Sequence, residues 1–335
     1  MPHSIKLMAP AKLNIFLHIN GRLDDGYHHI QTLFQPIDWY DQLQFSLAAD
    51  HEIQISMEYQ LNHFASVRHA VPNSPELNLQ DNLIYKAAKL LQEYSSIAAH
   101  EGTPIAQNKK KTSVQGAKIR VIKTIPLGAG LGGGSTDAAA SLLALNKLWQ
   151  LDLSSSVLLD LAKTLGADVP ALVHSLLYRQ SVLGEGRGEK LCPVKLARLW
   201  FLIFIPNCHC DTQIIFAQQE LTRNTKIITI ADLKIQIESK GLSALTETEL
   251  VRAMSFTNDC MSVVRKLYPP IDELVSRVEK LAEDAFSKPR LTGTGAAVFM
   301  MFTSLHQAEK MRQKFLAEVP EHGLAGIRVA SSIGV

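Results

Sequence analysis

Five glycines between positions 128 and 134 constrain this chain more than any other feature. The run reads Pro-Leu-Gly-Ala-Gly-Leu-Gly-Gly-Gly-Ser-Thr over residues 126–136, and a helical pattern follows it directly. Glycine tolerates positive φ angles and lets the backbone come close to a ligand. Several N–H groups can then point to one place, which the N-terminus of the following helix already makes positive. The segment therefore predicts a loop that holds phosphate.

Several kinds of glycine loop compete as explanations. Gly128, Gly130 and Gly133 satisfy the G-x-G-x-x-G pattern of dinucleotide-binding proteins. The preceding strand, 118–125, argues against that fold: a central parallel strand is apolar on both faces, and this one carries basic residues such as Lys123. A Walker loop needs a lysine before its terminal Ser or Thr, and glycine stands there instead. A third possibility is a different phosphate loop, built on backbone amides and the closing Ser-Thr hydroxyls. It is favoured over a glycine turn without a ligand, because so many glycines weaken a fold unless the backbone must come close to something.

Strand and helix patterns are mixed along the chain and indicate an α+β fold. Period-two and apolar runs predict strands at 5–8, 13–19, 42–47, 53–57, 118–125, 199–205, 296–302 and 327–330. Helical patterns are found at 82–94, 136–149, 154–165, from Asp168 onward, 259–268, 271–286 and 305–318. Asp81 is the predicted N-cap of the first helix, and Gly166 ends the third.

Composition excludes several classes of function. The formal net charge is +2, so nothing in the overall charge indicates a nucleic-acid or membrane partner. The N-terminus has no apolar signal region, and four cysteines do not make a disulfide framework, so we expect a cytoplasmic protein. The polar stretch 100–117 predicts a surface insertion. Cys208-His-Cys210 lacks the second ligand pair that a structural zinc requires.

Three segments together resemble a known family. Residues 126–135 resemble the ATP-binding motif of the GHMP kinases, 10–14 their N-terminal motif and 291–299 their C-terminal glycine motif. Further runs resemble the branch of the family that phosphorylates a sugar alcohol linked to cytidine diphosphate, on a route to isoprenoids. These runs occur in the expected order at 9–17, 25–28, 31–34, 81–84 and 166–170.

The resemblance implies a two-domain kinase with its active site in the cleft between the domains. We expect an N-terminal ATP-binding α/β domain with an antiparallel sheet over residues 1–186, and a ferredoxin-like C-terminal domain over 187–335. The implied reaction moves the γ-phosphate of ATP, with Mg²⁺, to a hydroxyl of the cytidyl diphosphate sugar alcohol. No motif predicts protein ligands for the metal, and we expect a monomer or a weak homodimer.

Two residues are the catalytic candidates. By pattern alone Asp168 is the N-cap of the helix that starts at Val169, whereas the resemblance makes it the acceptor of the hydroxyl proton. Lys12 alone reads as a solvated lysine between strands, and the resemblance puts it beside that aspartate, where it would stabilise a developing alkoxide or neutralise the phosphoryl group.

The nucleotide contacts are assigned to the glycine loop and to Asn82, which follows Asp81 and is placed near the adenosine by resemblance. Ser135 and Thr136 offer hydroxyls to the phosphates or the metal. The predicted ATP-binding residues are Pro126, Leu127, Gly128, Ala129, Gly130, Leu131, Gly132, Gly133, Gly134, Ser135, Thr136 and Asn82.

The acceptor contacts are assigned to four residues. Tyr27 offers a ring for stacking and His28 hydrogen-bonding groups for a cytosine edge, although their segment by itself reads as a polar turn. Asn14 is placed at the acceptor end. Phe216 is either an aromatic that covers the base from the other domain or a core residue.

One segment departs from the family pattern, because Met261 stands where the Asn-Asp-x-Glu stretch has glutamate. We therefore predict no role for this stretch beyond packing. Two other functions stay open: a sister kinase for homoserine or mevalonate, and a nucleotide-binding regulator without activity. The residues around Tyr27 argue against the former, and the presence of both Lys12 and Asp168 argues against the latter.

Overall fold

The computed structural model describes residues 4–24, 26–60, 79–100, 115–196, 198–228, 257–282, 287–318 and 324–334. Two β-sheets and the helices packed on them make up this part of the chain. The strands are β1 Ser4–Arg22, β2 His28–Leu47, β3 Ile53–Tyr59, β4 Ala117–Lys123, β5 Ser181–Gly186, β6 Lys190–Val194, β7 Trp200–Pro206, β8 Arg290–Leu291, β9 Val298–Phe302 and β10 Leu324–Ser331. The helices are α1 Leu83–His100, α2 Gly133–Leu148, α3 Ser155–Leu165, α4 Val169–Tyr178, α5 Thr212–Ala217, α6 Met261–Leu267, α7 Pro269–Leu281 and α8 Leu305–Glu318.

The first sheet has six strands in the order β3-β4-β2-β5-β6, and β1 pairs with β2 beside this path. All its pairs are antiparallel except β3 with β4. Helix α2 packs against the sheet with many small buried side chains near its start, among them Ala138, Ala139 and Ala140, and with leucines further along. This close packing brings the N-terminus of α2 next to β1.

The second sheet has four antiparallel strands in the order β10-β7-β9-β8. Along the chain, β7 is followed by helices, then by the pair β8–β9, helix α8 and β10. This β-α-β-β-α-β succession is that of ferredoxin-like domains, so the prediction for the C-terminal domain is confirmed.

Strand β1 connects the two halves. Ala9 packs in the cluster formed with α1 and α2, whereas Leu13 packs with Phe201 and Phe299 of the second sheet. Leu17 lies in a third cluster, with the residues of α6 and α7. One strand therefore contributes to the core of both sheets, and side chains on β1 lie where the two sheets meet.

Several boundaries differ from the prediction. The two strands expected at 5–8 and 13–19 form one strand, because β-bulges such as the one between Pro10 and Lys12 absorb the irregular pattern. Asp81 lies in a short 3₁₀ helix, and Asn82 caps α1 instead: its Oδ1 accepts the N–H of Ile84 at 2.8 Å.

Residues 181–194, where the sequence pattern predicted no strand, form the hairpin β5–β6. Its glycines hid the strand pattern. The predicted domain boundary at 186/187 falls in the turn of this hairpin, so the first sheet continues beyond it. Most of the 100–117 insertion lies outside the described residues. Within them, no helix is both long and apolar enough to cross a bilayer.

Candidate active site

A cavity of about 1360 Å³ opens between the glycine loop, β1 and the second sheet. Its wall includes Lys12, Asp168, Tyr27 and His28, and Phe216 reaches it from the other half of the chain. Pockets for one small ligand usually measure roughly 300–1,000 Å³. The volume therefore suits two substrates held side by side.

The glycine loop has the backbone that its sequence requires. Gly128, Gly130 and Gly132 have φ angles of 66°, 75° and 72°, in the left-handed region that side chains disfavour. Gly132 is the N-cap of α2, and no side chain caps that helix. The first N–H groups of α2 and the positive end of its dipole thus face the cavity wall at Gly133, Gly134 and Ser135.

The second glycine segment, 292–295, packs directly against this loop. The N–H of Ala297 donates to the carbonyl of Ala129 at 3.0 Å. A Cβ on Gly130 would lie 2.5 Å from the carbonyl oxygen of Thr292 and 2.7 Å from that of Gly295. Glycine at 130 is therefore required both by its φ angle and by the approach of a second backbone.

Lys12 is buried, and three neighbours compensate its charge. Its Nζ lies 3.2 Å from Oδ2 of Asp168 and donates to Oδ1 of Asn14 at 2.5 Å. The ammonium is also 5.9 Å from the centre of the Phe34 ring, a favourable distance for a cation beside an aromatic face. The sequence-based reading of a solvated lysine is wrong, and the ammonium instead faces the cavity beside the aspartate.

Asp168 occupies the N-cap position of α4, but its side chain makes no capping hydrogen bond. The carboxylate is one-third exposed, lines the cavity and lies beside Lys12. The capping interpretation therefore fails for the side chain. A half-open carboxylate beside a buried ammonium can accept a hydrogen bond from a hydroxyl group in the cavity.

Asn14 is held by a network that crosses the cleft. Its Nδ2 donates to Oγ1 of Thr32 at 2.9 Å, and its backbone N–H donates to Oγ1 of Thr292 at 3.1 Å. Thr32 in turn donates to the carbonyl of Phe16. Asn14 thus orients Lys12 through Oδ1, and its contact with an acceptor substrate stays a prediction.

A buried ion triad that the sequence analysis missed holds the ends of the glycine loop. Lys123 pairs with Asp41 and, at 2.6 Å, with Oδ2 of Asp137, the fifth residue of α2. Oδ1 of Asp41 accepts the N–H groups of Thr124 and Ile125, at 2.6 Å and 2.9 Å. The triad therefore fixes the chain just before the loop and just after it.

Burial also shifts the titration of the triad. Desolvation, with Asp41 nearby, raises the pKa of Asp137 to about 7, although Lys123 opposes the shift. Burial disfavours the charge on Lys123, but the two carboxylates outweigh it and raise the pKa of Lys123. Lys123, one of the basic residues of this strand, is thus a paired internal cation, and Oδ2 of Asp137 is one of its two partners.

Tyr27, His28 and Phe216 lie at the cavity wall. Tyr27 is 61% exposed, and the guanidinium of Arg187 lies 4.3 Å from its ring centre. The His28 and Phe216 rings are 4.9 Å apart. Phe216 is only half-buried: it packs on the C-terminal core and also lines the cavity, so both of its predicted roles are compatible with its position. Arg223 donates to His28, a contact for which the sequence gave no signal.

The other predicted nucleotide residues differ in placement. Ser135 lines the cavity, whereas Thr136 is fully buried and its Oγ1 has no hydrogen-bond partner. Asn82 uses its Oδ1 for the cap of α1, and its neighbour Leu83 lines the cavity. An adenosine contact of Asn82 stays a prediction. Across the described residues, His, Cys, Asp and Glu side chains form no group of three or more that could bind a metal ion.

The stretch 258–261 does more than pack. Nδ2 of Asn258 donates to the carbonyls of Leu291 and Gly293, at 2.7 Å and 2.8 Å. Oδ2 of Asp259 accepts the N–H of Ile19 at 2.7 Å. The stretch thus ties β1 to the second glycine segment, and the prediction that it only packs is wrong.

Comparison with families agrees with this geometry. Residues 82–175 match the GHMP kinases N terminal domain, and residues 242–321 match the GHMP kinases C terminal domain. A protein of Marinomonas sp. strain MWYL1 named 4-diphosphocytidyl-2-C-methyl-D-erythritol kinase is 40% identical over 92% of this chain and 83% of its own. A protein of the same name from Burkholderia ambifaria is 40% identical over 90% of this chain and 87% of its own.

Solved structures show the same architecture. A crystal structure of 4-(cytidine 5'-diphospho)-2C-methyl-D-erythritol kinase superposes with a TM-score of 0.65 at 26% identity, covering 99% of this chain and all of the other. Homoserine kinase from Cytophaga hutchinsonii has a TM-score of 0.63 at 20% identity, covering 100% of this chain and 95% of the other, and shares the fold.

We expect Gly130→Ala to destabilise the protein strongly. A left-handed φ costs a side chain about 1–3 kcal/mol, and the new Cβ would also overlap the carbonyl of Thr292. Gly134→Ala is the matched control: it lies in the first turn of α2, and its Cβ would meet only Leu83, at 3.8 Å. Chemical denaturation of both variants checks this, and equal stabilities would contradict the packing described.

We expect Asp137→Asn to change how stability depends on pH. The pKa of Asp137 is 3.8 when unperturbed and about 7 when folded, so between these values only the folded state holds the proton. The free energy of unfolding should then fall as pH rises, by at most about 1.4 kcal/mol per pH unit from this group. The variant removes that slope, and denaturation at about pH 5 and about pH 8 measures it.

The matched control for this experiment is Asp160→Asn, because that carboxylate pairs with Lys163 at the surface. Its stability should follow the wild-type pH profile. Parallel profiles for the wild type and Asp137→Asn would show that the buried carboxyl does not titrate as described.

Proposed function

The chain belongs to the 4-diphosphocytidyl-2-C-methyl-D-erythritol kinase family of the GHMP kinases, and on this premise we propose its reaction and the residues that perform it. It transfers the γ-phosphate of ATP to the 2-hydroxyl of 4-diphosphocytidyl-2-C-methyl-D-erythritol, a step of the non-mevalonate route to isoprenoid precursors. One observation carries the mechanism: Lys12 and Asp168 meet at 3.2 Å in the cavity that the glycine loop lines.

The glycine loop holds the phosphates of ATP. Its left-handed glycines leave the wall of the cavity without side chains, and the uncapped start of α2 supplies N–H donors and a positive dipole end. The hydroxyl of Ser135 adds a further donor. A loop without the Walker lysine needs another cation near the transferred group. Lys12 supports that role because its aliphatic stem packs at Gly132 and its ammonium lies close to Gly293.

Mg²⁺ fits this site as an ion held mainly by the phosphates. Magnesium usually keeps several waters and needs only one or two protein oxygens. Ser135 and Asp168 have oxygens at the cavity wall, whereas the Oδ2 of Asp137 is occupied by Lys123. The ion would neutralise phosphate charge, and Ser135 is the residue that we expect to contact it.

Asp168 receives the hydroxyl proton. The oxygen of the 2-hydroxyl forms a bond to the γ-phosphorus as the bond from that phosphorus to the β-phosphate oxygen breaks, and ADP leaves. In a loose transition state the proton moves late, so Asp168 mainly orients the hydroxyl until then. Lys12 donates to the oxygen on which negative charge develops, and Asn14 keeps the ammonium in place.

The cytidyl group binds at the wall that Tyr27, His28 and Phe216 form. Tyr27 is the exposed ring on which a base can stack, and Phe216 reaches the same cavity from the C-terminal half. Binding there would place the base away from the glycine loop and leave the sugar alcohol between Tyr27 and Lys12. A cytoplasmic location and a monomeric or weakly dimeric state stay predictions.

The proposed reaction is tested by ATP turnover with four acceptors. We expect turnover with 4-diphosphocytidyl-2-C-methyl-D-erythritol and none above background with homoserine, galactose or mevalonate. Preference for one of the latter three would make the chain a sister kinase. Nucleotide binding without any turnover would favour a regulator.

We expect Asp168→Asn to lower kcat about 10²-fold or more, because the amide cannot accept the proton. Lys12→Met should be similarly damaging, since it removes the cation beside the reacting oxygen. Nucleotide affinity measured by calorimetry should change little in Asp168→Asn. The controls are Asp272→Asn and Lys266→Met, because neither these charged residues nor their partners Arg265 and Glu220 line the cavity. Near-normal turnover of either site variant would remove that residue from the mechanism.

Tyr27→Ala should raise the KM for the cytidyl substrate about tenfold or more and leave the KM for ATP almost unchanged, because stacking on a base is worth about 1–3 kcal/mol. Tyr178→Ala is the control, since that exposed ring packs on His174, outside the cavity. Equal changes in the two KM values would contradict the placement of the base.

A further inference from the structure

Arg223 joins two segments that are distant in the sequence. It follows α5 and donates from Nε–H to Nε2 of His28, the first residue of β2, at 3.0 Å. Arg223 does not line the cavity, whereas His28 does. Any effect of Arg223 on a bound substrate is therefore transmitted through His28.

All five N–H donors of the Arg223 guanidinium have an acceptor. One is His28, and the other four are backbone carbonyls of the end of α5 and of the turn that follows it. These carbonyls belong to Phe216, Gln218, Gln219 and Leu221. The guanidinium plane is thus fixed by the same stretch of backbone that carries Phe216.

This contact determines where His28 holds its proton. Arginine always donates from Nε, so the histidine nitrogen that faces it must be an acceptor. A neutral imidazole with an acceptor at Nε2 carries its hydrogen on Nδ1. Burial lowers the pKa of His28, and the charges of Arg223 and Arg22 lower it further, so the neutral ring is favoured.

We propose that Arg223 is a positioning residue for substrate specificity: it locks His28 in the Nδ1–H tautomer, which then donates a hydrogen bond to an acceptor atom of the substrate base. The proposal rests on the proposed function, because it assumes that a cytosine occupies this wall of the cavity. Cytosine has two ring-edge acceptors, O2 and N3, whereas uracil has a donor at N3. A fixed donor on His28 suits either cytosine acceptor.

Lysine could not replace this arginine fully. The fork of the guanidinium binds His28 and the turn at once, whereas an ammonium has three donors on a flexible stem. In a variant without the guanidinium, Nε2 of His28 would return to its ordinary role as the protonated nitrogen, as in free histidine. Nδ1 would then be an acceptor that repels O2 and N3.

The first test is the tautomer of His28 in the ligand-free protein, read from its imidazole ¹⁵N shifts near neutral pH. The wild type should show a protonated Nδ1 and an unprotonated Nε2. Arg223→Met should shift the ring toward the Nε2–H form, and Arg223→Lys should retain part of the wild-type signal. A wild-type His28 that is protonated at Nε2 would overturn the proposal, and this reading needs no folded variant.

The second test is steady-state kinetics. Arg223→Met should raise the KM for the cytidyl substrate by about tenfold to a hundredfold, with little change in the KM for ATP or in kcat. Arg265→Met is the control, because that arginine also makes several hydrogen bonds, to side chains of α7, but lies outside the cavity wall. It should leave both KM values unchanged.

A uridyl analogue of the substrate identifies the acceptor atom. If Arg223→Met loses discrimination between the cytidyl and uridyl compounds, N3 is the acceptor, and equal weakening of both indicates O2; either result supports the proposal. An unchanged KM for the cytidyl substrate in a variant whose tautomer has shifted would overturn it. Failure of the wild type to phosphorylate the cytidyl substrate would instead overturn the proposed function, and the tautomer measurement would be unaffected.

Discussion

Burying an ammonium group costs free energy unless partners replace its water, and the partners of Lys12 organise the whole cleft. Asn14 orients it from the same strand, Asp168 reaches it from the start of α4, and Gly132 has no side chain that would displace it. Each partner belongs to a different element, so satisfying one charge fixes three elements relative to one another. The partners that offset the cost of burying this cation also hold it where a phosphoryl group and a hydroxyl would bind.

The two glycine segments have a common reason for their composition. Gly130 meets the carbonyls of Thr292 and Gly295, so two backbones approach more closely than side chains would allow. Asn258 holds the second glycine segment by donating a hydrogen bond to the carbonyl of Gly293. The Asp41–Lys123–Asp137 triad holds the first segment at both of its ends. The phosphate loop is therefore held in place by the residues around it, although glycine has more conformational freedom than any other residue.

Sequence reasoning succeeded where the signal is local or belongs to a family motif. The left-handed glycines, the start of α4 at Asp168 and the ferredoxin-like succession could all be predicted. It failed where distant residues pair. Nothing in the sequence marked Lys123 as a buried cation, because its partner Asp41 is far along the chain. Arg223 showed no pattern because its contact with His28 is equally distant in sequence. Asp81 and Asn82 are adjacent, and only the backbone conformation shows which of them caps α1. The glycines of β5 weakened its strand pattern.

Strand β1 has a consequence for how the protein is made. It is translated before the segments that hold it, because the N–H of Asn14 needs Thr292 and that of Ile19 needs Asp259. Contacts so distant along the chain slow folding, because a long loop must close before they form. A nascent chain that ends before residue 257 would already contain Lys12, the glycine loop and Asp168 but would lack the groups that hold β1 on its far side. Catalytic competence is therefore acquired only after Asp259 and Thr292 have been made, and cutting the chain between its two domains would remove the contacts that hold β1 in the nucleotide-binding half.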